Sequence, residues 1–409
     1  MHRDRIRTPL KRHILYYYRM VPSERRAHAV QLSRSAAALA RAGASVTLTI
    51  RRDSVPMPAD APLREAAGAA GVRIVPIRWR SRTRVPLELR LLLARLRAVG
   101  ASGGRPVVFA REVAPYTVIL ARAACRWGLP FVYEAHNLKC VVLEEDKGVE
   151  AARPTEAMER EIFERASGII FTAPLTENFA RARFRFAAPV LFAPNGAPPV
   201  AEPLPGEPPA RDIEILYAGQ LYRWKGFDLL LRALALLPGR RLTVAGGGAA
   251  AATPGDPGEG DDGTSELDRA RRLAEVLGVA DRVNFLGQVA PGQALGLMRR
   301  ARAGVIPLPA EGSAEARWFT APLKLFELWA TGAPVVVTDL PSLRALVRDG
   351  DTGLIAPAHP EGLAAALDRL LGDPTLAARL AGAGRAEAAT RSWDARARTL
   401  LEFLDRHCR

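Results

Sequence analysis

The chain has 409 residues, 48% hydrophobic and 25% charged, an ordinary globular composition that excludes disorder and a membrane bundle and is long enough for two cores. A formal charge of +15 admits nucleic acid, an anionic membrane surface or polyanionic substrates as partners, but aromatics are only 6% and no nucleic-acid module is visible, so nucleic acid is set aside. Three cysteines (Cys125, Cys140, Cys408) without CxxC spacing, no secretory segment and no long apolar run point to a reduced cytoplasmic setting.

In chain order, an arginine-rich tail precedes HILYYY (13–18), an apolar run that predicts a first strand. AVQLSRSAAALARAG (29–43) predicts an amphipathic helix stopped by Gly43, and SVTLTI returns as a strand. The alternation continues through VRIVPI (72–77), a helix LELRLLLARLRAVG (87–100), PVVFA (106–110) and a helix YTVILARAACRWG. FVYEAH (131–136), a helix TEAMEREIFERASG, IIFTA (169–173) and VLFAPNG (190–196) close this series. Short β-rich apolar runs between helices predict a parallel sheet buried on both faces. The leucines of 87–100 either pack on that sheet, leaving Arg90, Arg95 and Arg97 solvated, or present a basic amphipathic face to an anionic membrane.

The proline-rich APPVAEPLPGEPPA breaks the pattern and reads as a linker. A second series follows: IEILYAG (213–219), FDLLLRALALLPG, RLTVAG (241–246), ELDRARRLAEVLG, RVNFLG (282–287), QALGLMRRA and AGVIPL (303–308). A helix within FTAPLKLFELWATG (319–332), PVVVTD (334–339) and C-terminal helices complete it. The expected fold class is α/β, two tandem doubly wound Rossmann-like domains facing across a cleft. Their bounds are 1–197 and 211–390, with a linker at 198–210 and a last helix in 391–409. Asp261 and Asp262 lie in a low-complexity acidic stretch and read as a solvated loop rather than a metal site.

Ligands of open parallel sheets bind beyond the carboxyl ends of the strands. There the second series places GQLYRWKG, GGG and GQV, whose glycines admit a ligand to the backbone, with Arg223 and Lys225 to neutralise a diphosphate. GGG is not GxGxxG, which argues against a dehydrogenase-like dinucleotide site. In 319–332, Thr320, Lys324, Glu327 and Thr331 share one stripe of the helical wheel. Thr320 as cap and Pro322 in the first turn would leave free N–H groups as an anion site; the alternative is a surface Lys/Glu pair.

YAGQLYRWKGFDLLLRAL, VNFLGQV, TAPLKLFELWATGAPVVVTDLPSLRALVRDGDTGLIAP and RSWDARARTLLEFL, with YEAHN and ASGIIFTAPLTE in the first half, resemble in order and spacing the GT-B fold glycosyltransferases of the family 4-like kind (group 1). The resemblance spans nearly the whole chain. Together with the strand-end reading above it gives a donor site of Gly219, Arg223, Lys225, Gly246, Gly247, Gly287, Gln288, Thr320, Ala321, Pro322, Leu323, Lys324 and Glu327. Lys225 would bind the diphosphate, Glu327 the ribose hydroxyls, the loop at Gly287 and Gln288 the base, and His136, across the cleft, the transferred sugar. His136, Lys225 and Glu327 are thus the catalytic candidates, while Lys324 either pairs with Glu327 or reaches the phosphates. The resemblance also implies that the last helix crosses back to the first domain.

Three departures stand out. Phe319 occupies the position, eight before Glu327, where the family commonly has a glutamate, for which Glu311 or Glu315 could substitute. Gln220 replaces an arginine, and VPSERRAH replaces a glycine-rich turn after the first strand. The expected function is a retaining glycosyltransferase moving a sugar from a UDP- or GDP-sugar to a hydroxyl of a glycan, lipid-linked or small-molecule acceptor. No cofactor or metal is expected, because basic side chains and helix termini stabilise the leaving diphosphate. The alternatives are a non-catalytic GT-B scaffold that has lost donor binding, and a nucleotide-sugar epimerase on the same fold. The expected location is cytoplasmic, with peripheral attachment at the inner membrane face if the basic helix docks there.

Overall fold

The computed structural model describes residues 11–18, 27–51, 68, 70–77, 85–199, 211–247 and 265–408. The arginine-rich tail, most of VPSERRAH, most of the proline-rich stretch, Gly248 and the acidic insertion lie outside them. The chain forms two compact units, residues 1–195 with 393–409, and residues 196–392.

In the first unit seven strands form one sheet: β1 (Arg12–Tyr17), β2 (Ser45–Arg51), β3 (Arg73–Ile77), β4 (Arg105–Ala110), β5 (Phe131–Ala135), β6 (Gly168–Phe171) and β7 (Val190–Phe192). Every neighbouring pair is parallel, and the order is β3-β2-β1-β4-β5-β6-β7, reversing between β1 and β4. Every residue of β5 is buried, as its unbroken apolar reading requires, except that one of them is Glu134.

The helices are α1 (Ala27–Arg41), α2 (Leu87–Ala101), α3 (Pro115–Arg126), α4 (Lys139–Lys147), α5 (Val149–Arg165) and α6 (Thr176–Arg183). Helix α4 carries no local start signal, and the sequence reading passed over it. Its cap comes from α5, where the buried Glu159 carboxylate accepts from the backbone N–H groups of Lys139 and Cys140 at 2.7 and 3.0 Å. In α2, Leu89, Leu92, Leu93 and Leu96 are buried.

The second unit carries β8 (Ile213–Ala218), β9 (Leu242–Ala245), β10 (Val283–Phe285), β11 (Ala301–Ile306), β12 (Val335–Thr338) and β13 (Leu354–Ala356). They form a parallel sheet in the order β10-β9-β8-β11-β12-β13, with its reversal between β8 and β11. The sequence reading missed β13, a strand of three residues.

Around the sheet lie α7 (Phe227–Ala235), α8 (Glu266–Val276), α9 (Pro291–Arg300), α10 (Ala314–Trp318), α11 (Leu323–Thr331), α12 (Pro341–Arg344), α13 (Pro360–Gly372) and α14 (Pro374–Thr390). Trp329 anchors α11: its indole N–H donates to Thr352 O at 2.8 Å, and Gly384 of α14 leaves room for the ring. The last helix, α15 (Trp393–His407), belongs to the first unit, where Arg12 holds its Asp405 at 2.5 Å. Among the described residues no helix is long and apolar enough to cross a membrane.

Candidate functional site

The reversal of strand order between β8 and β11 is where a doubly wound sheet opens a crevice for ligands. Three strands end there in glycine. The Gly219 N–H donates to Ala245 O at 2.9 Å and the Gly246 N–H to Gly287 O at 2.8 Å, so the exits of β8, β9 and β10 lie side by side. Gly246 has φ 139°, and a Cβ there would stand 1.9 Å from Gly219 O, so no side chain fits between the two exits. Gly247 packs on Leu221, and Gln288 next to Gly287 is exposed.

The loop leaving β8 then turns over the end of β11. A short 3₁₀ turn, Arg223–Lys225, ends at Gly226 with φ 74°, where a Cβ would meet Pro307 O at 1.7 Å. Arg223 is exposed; Lys225 is half-buried, its Nζ 3.7 Å from the centre of the Trp224 ring. Among the described residues the Lys225 ammonium has no ion-pair partner. Burial pushes it down to about 8, and the Glu315 carboxylate of α10 opposes that only in part. Of the two carboxylates considered in place of the missing acid, Glu315 is half-buried beside Lys225 and Glu311 is exposed. Phe319 itself is buried in the core.

Helix α11 corrects two expectations. It starts at Leu323, after an extended Pro322 (φ −64°, ψ 126°), and no side chain caps it. Thr320 therefore does not cap the helix. Proline pushes the residue before it out of the helical region, so the wheel periodicity cannot be carried back through Pro322. Nor is Glu327 part of a surface stripe: it is buried, and Lys324 reaches its Oε2 with Nζ at 2.7 Å. Between the two roles left open for Lys324, the structure shows pairing with Glu327. Thr320 is buried, and Ala321, Pro322 and Leu323 are half-buried.

In the first unit, His136 follows β5 directly and is half-buried. Glu134, buried two residues earlier, is held from both sides. Arg396 of α15 donates to its Oε2 at 3.0 Å, and His136 Nε2 lies 2.6 Å from its Oε1. Burial alone would raise the Glu134 pKa, but Arg396, the His136 hydrogen bond and Arg111 outweigh it and keep the group ionised. An ionised carboxylate only accepts, so the proton of the neutral imidazole sits on Nε2. His136 Nδ1 then accepts, with Thr172 Oγ1 at 3.2 Å and Gln31 Nε2 at 3.4 Å. Burial, followed by the charge of Arg111, lowers the His136 pKa to about 4. Arg396 also donates to Pro194 O at 2.8 Å and to Ser35 Oγ at 3.0 Å.

Two family models cover most of the chain: the glycosyl transferase 4-like domain over residues 27–196 and the glycosyl transferases group 1 domain over residues 212–373. The chain belongs to the family 4-like, group 1 glycosyltransferases. Its relatives include D-inositol 3-phosphate glycosyltransferase of Rhodococcus opacus (strain B4), 29% identical over 402 residues, covering 91% of this chain and 84% of the relative. The protein of the same name from Mycobacterium avium (strain 104) is 30% identical over 303 residues, covering 69% of this chain and 66% of the relative. Among solved structures, sucrose-phosphate synthase from Thermosynechococcus elongatus superposes with a TM-score of 0.70 at 22% identity, covering 97% of this chain and 99% of that one. Anabaena HepE in complex with UDP and glucose gives 0.72 at 18% identity, covering 96% and 99%. These establish the two-domain Rossmann-like GT-B fold.

In this glycosyltransferase, sequence reasoning overlooked Glu134, Arg396, Gln31 and Arg111 around His136. One signal was available. A carboxylate inside the apolar run FVYEA must be buried and must therefore find a cation. Its partner lies 262 residues away in sequence, beyond the reach of any local pattern.

Proposed function

We propose that this chain is a retaining transferase that moves a sugar from a UDP- or GDP-sugar to a hydroxyl of a glycan, lipid-linked or small-molecule acceptor, without a metal. The observation that carries the reading is the assembly at the β8/β11 reversal: glycine backbone at three strand exits beside a half-buried ammonium with no carboxylate bound to it. Lys225 neutralises the donor diphosphate, and the α11 start adds its free N–H groups. Glu327 accepts from the ribose 2′ and 3′ hydroxyls, with Lys324 holding its other side. The leaving diphosphate assists attack from the face it departs, which retains configuration. HepE structures carrying UDP and UDP-glucose support a uridine donor, and the names of the inositol phosphate relatives support a small phosphorylated acceptor.

Melting of the purified protein against UDP, GDP, ADP and TDP tests this. A nucleotide at a hundred times its dissociation constant adds about 2.7 kcal/mol of stability. One nucleotide class should stabilise the wild type and not Glu327→Ala. Stabilisation by none of the four would favour the second reading, a scaffold without donor binding, for which the buried Phe319 in place of a carboxylate is the specific argument.

A further inference from the structure

We propose that the outward face of α2, with the groove between α2 and α3, docks the first unit onto an anionic phospholipid surface. Burial divides the leucines of α2 into two sets. Leu89, Leu92, Leu93 and Leu96 are buried, whereas Leu87 and Leu91 are 68% and 62% exposed. Sheet packing explains the first set and leaves the second without a purpose. On the helical wheel Leu87, Leu91, Ala94 and Ala98 form one outward stripe, flanked by exposed Arg90 and Arg97 on one side and Arg95 on the other. Glu88, also exposed at the helix start, is the one acidic residue of α2.

The arginines here differ from those on two neighbouring helices of the unit. On α5 and α6, Arg153, Arg160, Arg165 and Arg181 each pair with a glutamate on the same helix. Arg90, Arg95, Arg97 and Arg126 have no ion-pair partner among the described residues. Arg90 and Arg126 line a groove of about 550 Å³ with Leu93, Ile119, Arg122 and Trp127. Arg122 shares the Glu161 carboxylate, 2.6 Å away, with Arg165 of α5. The rest is a cluster of unopposed guanidinium groups around apolar side chains and a half-buried indole, the composition that suits phosphate head groups above acyl chains. A nucleic acid would meet the same charge but would leave Leu87 and Leu91 with nothing to bury against.

The test is flotation of the full chain with vesicles of phosphatidylcholine alone and with a third phosphatidylglycerol. The expected result is retention by the anionic vesicles only, weakening as salt rises. Arg90→Glu/Arg95→Glu/Arg97→Glu should lower the affinity about a hundredfold, and Leu87→Ser/Leu91→Ser should also release the protein. All five positions are exposed, so an unchanged melting temperature certifies each variant as folded. Absence of flotation, equal retention by both vesicles, or retention indifferent to the leucine pair would overturn the proposal. So would a labelled RNA that competes with the vesicles and depends on the arginines but not on the leucines. None of these outcomes involves the donor nucleotide, so the donor-site reading stands or falls separately.

Discussion

His136 in one unit and Lys225 in the other each follow a strand, and each has its pKa lowered by burial, yet their surroundings are opposite in kind. Around His136 the polar atoms close on one another: Glu134 is bound by Arg396 and by the imidazole, and both ring nitrogens have partners within the unit. Around Lys225 the ammonium rests on an indole face, with Glu315 acting on it only through its field. A buried charge answered from every side is architecture first. A half-buried charge with no bound counter-ion is stabilised by whatever anion arrives.

The largest effect should come from breaking the closed assembly. Arg396→Met removes the ion-pair partner of the buried Glu134 carboxylate, leaving the neutral His136 N–H and the field of Arg111, and should destabilise the protein by about 3 kcal/mol in urea unfolding. Adding Glu134→Gln should restore much of that loss, because the unpaired charge disappears. If the double variant were no better than the single one, the pair would matter through packing of α15 instead.

Acid should sharpen the contrast next. The folded protein holds His136 at about 4, below its usual 6.5, so between these values the unfolded chain binds more protons. Stability from this group is complete above about 6.5 and is lost as pH falls toward 4, on the order of 3 kcal/mol in all. Glu134, also lowered, loses its contribution in the same direction at still lower pH. The imidazole resonances of His136 should therefore not titrate between pH 5 and 8. A midpoint near 6.5 would show that the Glu134–His136 contact opens in solution.

The alternating strands and helices were legible because a buried parallel strand needs a nearly continuous apolar run, and PVVFA and PVVV supply one. The glycines at the β8, β9 and β10 exits were legible because a tight approach of backbone to backbone leaves few other choices, as the contact between Gly246 and Gly219 shows. What stayed hidden depends on pairing across the chain. Glu159 caps α4 from another helix, and Arg396 reaches Glu134 from α15, so neither leaves a local trace. Thr320 was misread for a different reason: helical arithmetic was extended through a proline that the backbone does not follow.

The smallest effect lies at Lys225, and it separates the open site from the closed one by sign. Below about 8 the free protein already carries the ammonium proposed to bind the diphosphate, so UDP or GDP affinity should be flat there. Above it, binding must take up a proton, and affinity should fall by up to tenfold per pH unit until the pKa of the bound form is reached. The free protein should move the other way. Its lysine is lowered from 10.5 to about 8, so the unfolded chain binds more protons in that window and stability rises with pH. Lys225→Arg, which stays charged throughout, should flatten the nucleotide titration, and Lys225→Met should weaken binding at every pH. Calorimetric titration of the nucleotide at pH 7, 8 and 9 would expose both trends, and a wild-type affinity constant across that range would remove Lys225 from the diphosphate site.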